Sequence, residues 1–128
     1  MTDRQSVCVV AAVDDDESVL RSIEYLLESA DYSVRVFTSG QALLDSGCLP
    51  EIDCLISDID MPGIDGFALL REIHVARPGL PTILITGFPD RLKRIPLPGE
   101  GQPRVFTKPF HGPALLTAIH DAIRNCPE

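Results

Sequence analysis

The sequence has no long hydrophobic run and no export signal. Its longest uninterrupted apolar stretch, from Val7 to Val13, falls well short of the roughly 20 residues that a membrane helix needs. No basic region followed by an apolar stretch and a small-residue cleavage site stands at the start of the chain. We therefore expect a soluble, cytoplasmic protein that does not bind a membrane.

Positive charge is also scarce. The chain has 11 lysines and arginines against 19 aspartates and glutamates, which gives a formal net charge of −8. Nucleic-acid backbones attract clustered Lys and Arg side chains, and this acidic balance does not supply them. Direct binding to nucleic acid is therefore not expected.

The sequence lacks the motifs of two common kinds of ligand site, a cysteine metal site and a dinucleotide or flavin site. The four cysteines are far apart and show no paired metal-ligand spacing, so reduced thiols are expected (Cys8, Cys48, Cys54 and Cys126). The first apolar run is followed by three aspartates and not by a glycine-rich loop, which argues against a dinucleotide or flavin site.

What the sequence does contain is a regular alternation of strand and helix patterns. Its 128 residues suit one domain, 1–128, with no internal boundary. Continuous apolar runs alternate with amphipathic helices, which predicts an α/β fold with a parallel sheet covered on both faces. The predicted strands are 7–13, 33–37, 54–57, 82–86 and 105–107, and the predicted helices are 17–29, 41–45, 66–77 and 113–125.

One segment, 88–103, breaks this alternation where a further helix is due. Its sequence is FPDRLKRIPLPGEGQP, and its prolines and glycines exclude a regular helix after Ile95. We expect a helix that is short or disordered, followed by an irregular loop.

Polar side chains cluster in the sequence at the ends of four predicted strands. In open parallel sheets, ligands bind beyond the carboxyl ends of the strands, so these side chains should meet. Each has an ordinary explanation alone, and Asp16 in particular suits a helix cap. The residues are Asp14, Asp15 and Asp16 after the first strand, Asp58 and Asp60 after the third, Thr86 after the fourth and Lys108 after the fifth.

The chemistry of this set fits phosphoryl transfer. Several carboxylates repel one another unless a hard cation lies among them, and Mg²⁺ prefers oxygen ligands. A carboxylate can serve as the nucleophile and carry the phosphoryl group, while a lysine and a hydroxyl neutralise its oxygens.

Four short motifs carry a family resemblance. DDD at 14–16, SDIDMPGIDG at 57–66, TG at 86–87 and KPF at 108–110 resemble, in order and spacing, the receiver domain of two-component response regulators. The resemblance implies a CheY-like, flavodoxin-like fold with a five-stranded, doubly wound parallel sheet of order 2-1-3-4-5. By this resemblance we expect the stand-alone, single-domain type, with no output domain after Glu128.

The resemblance also implies a role for each site residue. Asp58 matches the phosphoacceptor, Thr86 the hydroxyl that moves to the phosphoryl group, and Lys108 the lysine that pairs with it. For Mg²⁺, Asp15 matches the direct ligand and Asp14 its neighbour acting largely through water. Asp58 and the backbone carbonyl of Asp60 complete the metal site, which leaves the Asp60 side chain at the rim. The bond between Lys108 and Pro109 is expected to be cis.

By the same resemblance, the partner that supplies the phosphoryl group is a sensor histidine kinase or a phosphotransfer protein. The chain is then a signalling domain and not an enzyme, and it acts on a downstream protein that the sequence does not identify. Two departures concern this output. The helix that the family usually has in 88–103 is expected to be short or disordered. An aromatic usually stands three residues before the lysine, where this chain has Val105, and Phe106 is expected on the opposite face of the strand.

Two alternatives remain open. A pseudo-receiver would act as an interaction module without phosphorylation, although all five acceptor-site residues are present. A haloacid-dehalogenase-like phosphatase also uses two acids spaced like Asp58 and Asp60, but it usually has Thr or Val where this chain has Pro62.

Overall fold

The computed structural model describes residues 8–61, 63, 66–87, 104–108 and 110–124. The strands are β1 (Val9–Val13), β2 (Ser33–Phe37), β3 (Cys54–Asp58), β4 (Thr82–Thr86) and β5 (Arg104–Thr107). The helices are α1 (Glu17–Ser29), α2 (Gly40–Ser46), α3 (Gly66–Ala76) and α4 (Gly112–Arg124), with a 3₁₀ turn at Leu49–Glu51. The predicted alternation of strands and helices is confirmed in the described residues.

The five strands form one parallel sheet in the order β2-β1-β3-β4-β5, as predicted. All five residues of β3 are buried, which explains why its sequence is apolar without alternation. Strand β2 lies at the edge, and each of its residues is exposed or only partly buried. Strands β1 and β3 are neighbours inside the sheet, so their carboxyl ends lie side by side.

Helices cover both faces of the sheet and divide the core into two main layers. On one face, α1 and α4 pack against β1, β3 and β4 through Ile23, Leu27, Leu115 and Ile119. On the other face, α2 and α3 pack through Leu43, Leu69 and Ile73. None of the helices in the described part of the chain has both the length and the apolar composition of a membrane span.

Asp16 begins α1 as a conventional N-cap. Its carboxylate accepts hydrogen bonds from the backbone N–H of Ser18, at 2.9 Å, and from the Ser18 hydroxyl, at 2.7 Å. These bonds hold the pKa of Asp16 below its ordinary value. The ordinary interpretation of Asp16 as a helix cap is therefore confirmed.

Val105 and Phe106 point to opposite faces of β5, as strand geometry predicts. Val105 packs against a small cluster that includes Ile59, Phe67 and Leu84, whereas Phe106 packs into the layer beneath α1 and α4. Phe106 therefore does not occupy the position of the missing aromatic.

Several sequence predictions concern residues outside the described ranges. The short or disordered helix in 88–103 is one, and the cis bond before Pro109 is another. Of the cysteines, Cys8, Cys48 and Cys54 are among the described residues and form no disulfide there, while Cys126 is not among the described residues.

Candidate functional site

Three strand ends bring two acids and a lysine together. Asp14 directly follows β1, Asp58 is the last residue of β3, and Lys108 directly follows β5. The Lys108 ammonium nitrogen lies 3.0 Å from Asp14 Oδ2 and 3.4 Å from Asp58 Oδ1. The set forms because parallel strands all present their carboxyl ends to the same edge of the sheet.

The carboxylate oxygens of the acids form a cluster suited to a hard cation. Asp14 and Asp58 are only 1% and 3% exposed, while Asp15 next to them is exposed. One carboxylate oxygen from each of Asp14, Asp15 and Asp58 lies within 4.8 Å of the other two. Apart from the Lys108 ammonium, no hydrogen-bond donor among the described residues reaches Asp14 Oδ2 or Asp58 Oδ1. The oxygens therefore fit a divalent cation such as Mg²⁺, which prefers carboxylate ligands and keeps some water.

Burial, together with the charge of a neighbouring acid, raises the pKa of both Asp14 and Asp58. Burial first, and then the charge of Asp14, raise the pKa of Asp58 to about 6, although Lys108 opposes both effects. Burial also raises the pKa of Asp14, against the opposing hydrogen bonds from the Asp16 backbone N–H and from Lys108. Burial on its own would lower the pKa of Lys108, but the two carboxylates outweigh it and the pKa is raised. The lysine therefore remains positively charged at neutral pH.

Thr86 is fully buried at the end of β4 and contacts the side chain of Asp60. Its hydroxyl donates a hydrogen bond to Asp60 Oδ2 at 3.0 Å. Its backbone carbonyl accepts a hydrogen bond from the N–H of Lys108 at 2.8 Å. Sequence reasoning gave Asp60 a role through its backbone carbonyl alone, so this side-chain contact was missed. The Asp-x-Asp spacing was the available signal, but the path of the chain after β3 decides where the second acid points.

Gly66 is a further position that sequence reasoning did not single out. A Cβ atom there would lie 2.5 Å from the Asp58 carbonyl oxygen and 2.7 Å from Ile59 Cα. The Gly66 N–H also donates to the Ile59 carbonyl at 2.9 Å. The absence of a side chain thus allows α3 to begin directly against the end of the strand that carries Asp58.

We expect Gly66→Ala to lower the free energy of unfolding by about 1 to 3 kcal/mol, because the added methyl group overpacks rigid backbone. Urea unfolding followed by circular dichroism measures this loss. Gly79→Ala is the matched control, since a Cβ atom at Gly79 meets nothing within 4 Å. Equal stability of the two variants would contradict the close approach.

Known proteins resemble this chain over most of its length. A family model described as the response regulator receiver domain matches residues 10–120. The transcriptional regulatory protein FixJ of Bradyrhizobium diazoefficiens is 35% identical over 122 residues, which cover 91% of this chain and 57% of that protein. FixJ of Azorhizobium caulinodans is 33% identical over 123 residues, with 93% and 56% covered. The chain thus spans about half the length of these curated relatives.

A solved structure gives the same result for the fold. The signal receiver domain of an HD domain-containing protein from Pseudomonas fluorescens Pf-5 superposes with a TM-score of 0.81 at 30% identity, covering 92% of this chain and 95% of that one. The family model, the relatives and the solved structure all match over most of this chain. The chain belongs to the response regulator receiver domain family.

Proposed function

We propose that this receiver domain accepts a phosphoryl group on Asp58 in a Mg²⁺-dependent reaction. A sensor histidine kinase or a phosphotransfer protein would supply the group in the cytoplasm. The observation that carries the proposal is the position of Asp58. Its carboxylate is nearly fully buried and lies 3.4 Å from a lysine ammonium. Two further acids lie close enough to share one metal ion with it.

The transfer itself is a substitution at phosphorus. A carboxylate oxygen of Asp58 attacks the phosphorus of a phosphohistidine, and the bond from phosphorus to nitrogen breaks. The electron pair of that bond stays on the imidazole, and the product on Asp58 is an acyl phosphate. Since the pKa of Asp58 is about 6, most of the carboxylate is ionised and able to attack at pH 7.

The residues around Asp58 have separate roles in this proposal. Asp14, Asp15, Asp58 and the backbone carbonyl of Asp60 would hold Mg²⁺, which when bound neutralises charge on the phosphoryl oxygens and on the acids. Lys108 already lies beside Asp58 and would pair with a phosphoryl oxygen attached to it. The hydroxyl of Thr86 would approach another of these oxygens.

The domain would then act through contacts with a downstream protein. A new negative charge at the site shifts the equilibrium between two conformations of the domain. A partner that binds one of them preferentially therefore changes its affinity when Asp58 is phosphorylated. The domain takes part in its own phosphorylation and dephosphorylation but turns over no separate substrate, so we do not assign it an enzyme activity. The acidic balance of the chain argues against direct contact with nucleic acid.

The proposal is tested by incubation with acetyl phosphate and Mg²⁺, followed by mass spectrometry of the intact protein. We expect a single phosphoryl adduct on the wild type, none on Asp58→Asn, and none when a chelator removes the metal. Asp45→Asn is the matched control, because Asp45 is an exposed acid on α2, and it should retain the adduct.

Absence of the adduct on the wild type would overturn the proposal in favour of a phosphorylation-independent interaction module. An undiminished adduct on Asp58→Asn would show that another residue is the acceptor. Catalytic turnover of p-nitrophenyl phosphate would instead indicate a phosphatase.

A further inference from the structure

We propose that the side chain of Asp60 is a positioning residue that holds the Thr86 hydroxyl and competes for it with the phosphoryl group. This inference rests on the proposed function, because it assumes that Asp58 carries the phosphoryl group. It assigns a role to the Asp60 carboxylate that is separate from the metal-binding role proposed for its backbone carbonyl.

The contact between the two side chains is direct. Thr86 is 0% exposed, and its Oγ1 atom lies 3.0 Å from Asp60 Oδ2, to which it donates. The other carboxylate oxygen, Asp60 Oδ1, is also buried. A threonine hydroxyl carries one proton, so it donates to one strong acceptor at a time. While it donates to Asp60, it is withheld from any other acceptor.

Thr86 lies between the two strands that would contact the phosphoryl group. On one side, the Ile59 N–H donates to the carbonyl of Ile85, which joins β4 to the chain just after Asp58. On the other side, the Lys108 N–H donates to the carbonyl of Thr86 itself. The hydroxyl is thus held at the edge shared by Asp58 and Lys108. Donation to a phosphoryl oxygen on Asp58 requires that the hydroxyl leave Asp60.

The fixed backbone limits how this exchange can occur. Because Thr86 is β-branched, buried and hydrogen-bonded through its carbonyl, its side chain has few rotamers available. Turning about χ1 is the simple way for the hydroxyl to change acceptors. The equilibrium between the two rotamers then depends on which acceptor is stronger.

The charge of Asp60 determines the strength of the resting contact. A hydroxyl bound to a carboxylate is held about twice as strongly as one bound to a neutral oxygen. A phosphoryl group is also anionic, so the exchange takes place between two charged acceptors. Asparagine at this position keeps an oxygen acceptor without the charge, and alanine removes the acceptor. The hold on Thr86 should therefore weaken from Asp to Asn to Ala.

The first test measures binding of beryllofluoride, a phosphoryl mimic, to the full chain at saturating Mg²⁺ by isothermal titration calorimetry. We expect Asp60→Ala to bind it about tenfold more tightly than the wild type, since one charge-assisted hydrogen bond no longer opposes the exchange. Asp60→Asn should show an intermediate gain. An unchanged affinity for beryllofluoride in both variants would overturn the proposed competition between Asp60 and the phosphoryl group for the Thr86 hydroxyl.

A change at Asp60 also removes a negative charge that could repel the mimic directly, and a second background separates the two effects. Thr86→Val removes the hydroxyl and keeps the shape of the side chain. If Asp60 acts through Thr86, the gain from Asp60→Ala should fall below about twofold in chains that also carry Thr86→Val. An equal gain in both backgrounds would show direct repulsion and overturn the positioning role.

The second test reads the rotamer of Thr86 with no phosphoryl group or mimic present. NMR couplings that report χ1 should show a single rotamer in the wild type and averaging in Asp60→Ala, with Asp60→Asn between them. A fixed rotamer in all three proteins, together with normal beryllofluoride binding, would overturn this inference and leave the phosphoacceptor function intact. Failure of the wild type to bind beryllofluoride or to form the adduct would overturn both.

Discussion

Replacing Asp58 by asparagine is expected to make the metal-free protein more stable at neutral pH, although it removes the residue proposed to react. The carboxylate is nearly fully buried and lies close to Asp14. A pKa raised from 3.8 to about 6 means that the charged form is disfavoured by roughly 3 kcal/mol on folding. Asparagine has nearly the same shape and carries no charge. We therefore expect the free energy of unfolding to rise by about 1 to 3 kcal/mol at pH 7.

The increase in the free energy of unfolding caused by Asp58→Asn should grow as the pH rises. A group whose pKa is higher in the folded state than in the unfolded state stabilises the fold in acid, and this contribution is lost as the pH rises. For Asp58 the loss occurs between its ordinary value of 3.8 and its folded value of about 6. The two proteins should thus be similar in stability near the lower of these values, and the variant should become the more stable one above the higher.

Urea unfolding at a series of pH values, without divalent metal, measures this difference. Asp15→Asn serves as the control because Asp15 belongs to the same acid cluster but is exposed, so its effect should stay within about 0.5 kcal/mol. Added Mg²⁺ should narrow the gap by stabilising the wild type. If Asp58→Asn is less stable than the wild type at neutral pH, the surroundings of Asp58 do not disfavour its ionised form.

Replacing Lys108 by methionine is expected to have the opposite and larger effect. The lysine ammonium lies 3.0 Å from one buried carboxylate and 3.4 Å from another. Removing one partner of a buried charge cluster leaves the other charges uncompensated, at a typical cost of about 3 to 5 kcal/mol. Because a quarter of the Lys108 side chain is exposed, we expect a loss near the lower limit. Thermal and urea unfolding at neutral pH measure it.

A double variant shows whether this loss comes from the acids. In chains that also carry Asp58→Asn, Lys108→Met should cost markedly less, because one of the two repelling charges is gone. Mg²⁺ should restore part of the stability of the single variant, since the cation replaces the missing positive charge. Additive effects of the two substitutions would contradict a direct interaction between Lys108 and Asp58.

The fold could be predicted because each element carries its own local signal. The buried strands β1, β3 and β4 are continuous apolar runs, and in α1 the buried residues Leu20, Ile23 and Leu27 recur at helical spacing. The strand order came from the family resemblance and not from the pattern of apolar residues. Local periodicity does not determine which strands pair, because pairing depends on how the connections cross the sheet.

The candidate site could be predicted only in part, for a related reason. Asp14, Asp58 and Lys108 occur at strand ends, so their meeting follows from the geometry of a parallel sheet. The contact between Asp60 and Thr86 depends on the path of the loop after β3. The need for glycine at position 66 depends on how closely α3 approaches the backbone of Asp58. Neither appears as a pattern along the chain, because both are set by distances between elements.

The order of the site residues along the chain has a consequence for synthesis on the ribosome. Asp14 is synthesised directly after β1 and Asp58 at the end of β3, whereas their counter-ion Lys108 comes only after β5. A nascent chain that has paired β1 with β3 therefore holds two close carboxylates without the lysine that offsets them. Such an intermediate would keep a proton on one acid or take up a cation from solution. The acids of the site gain their counter-ion only after β5 has been synthesised.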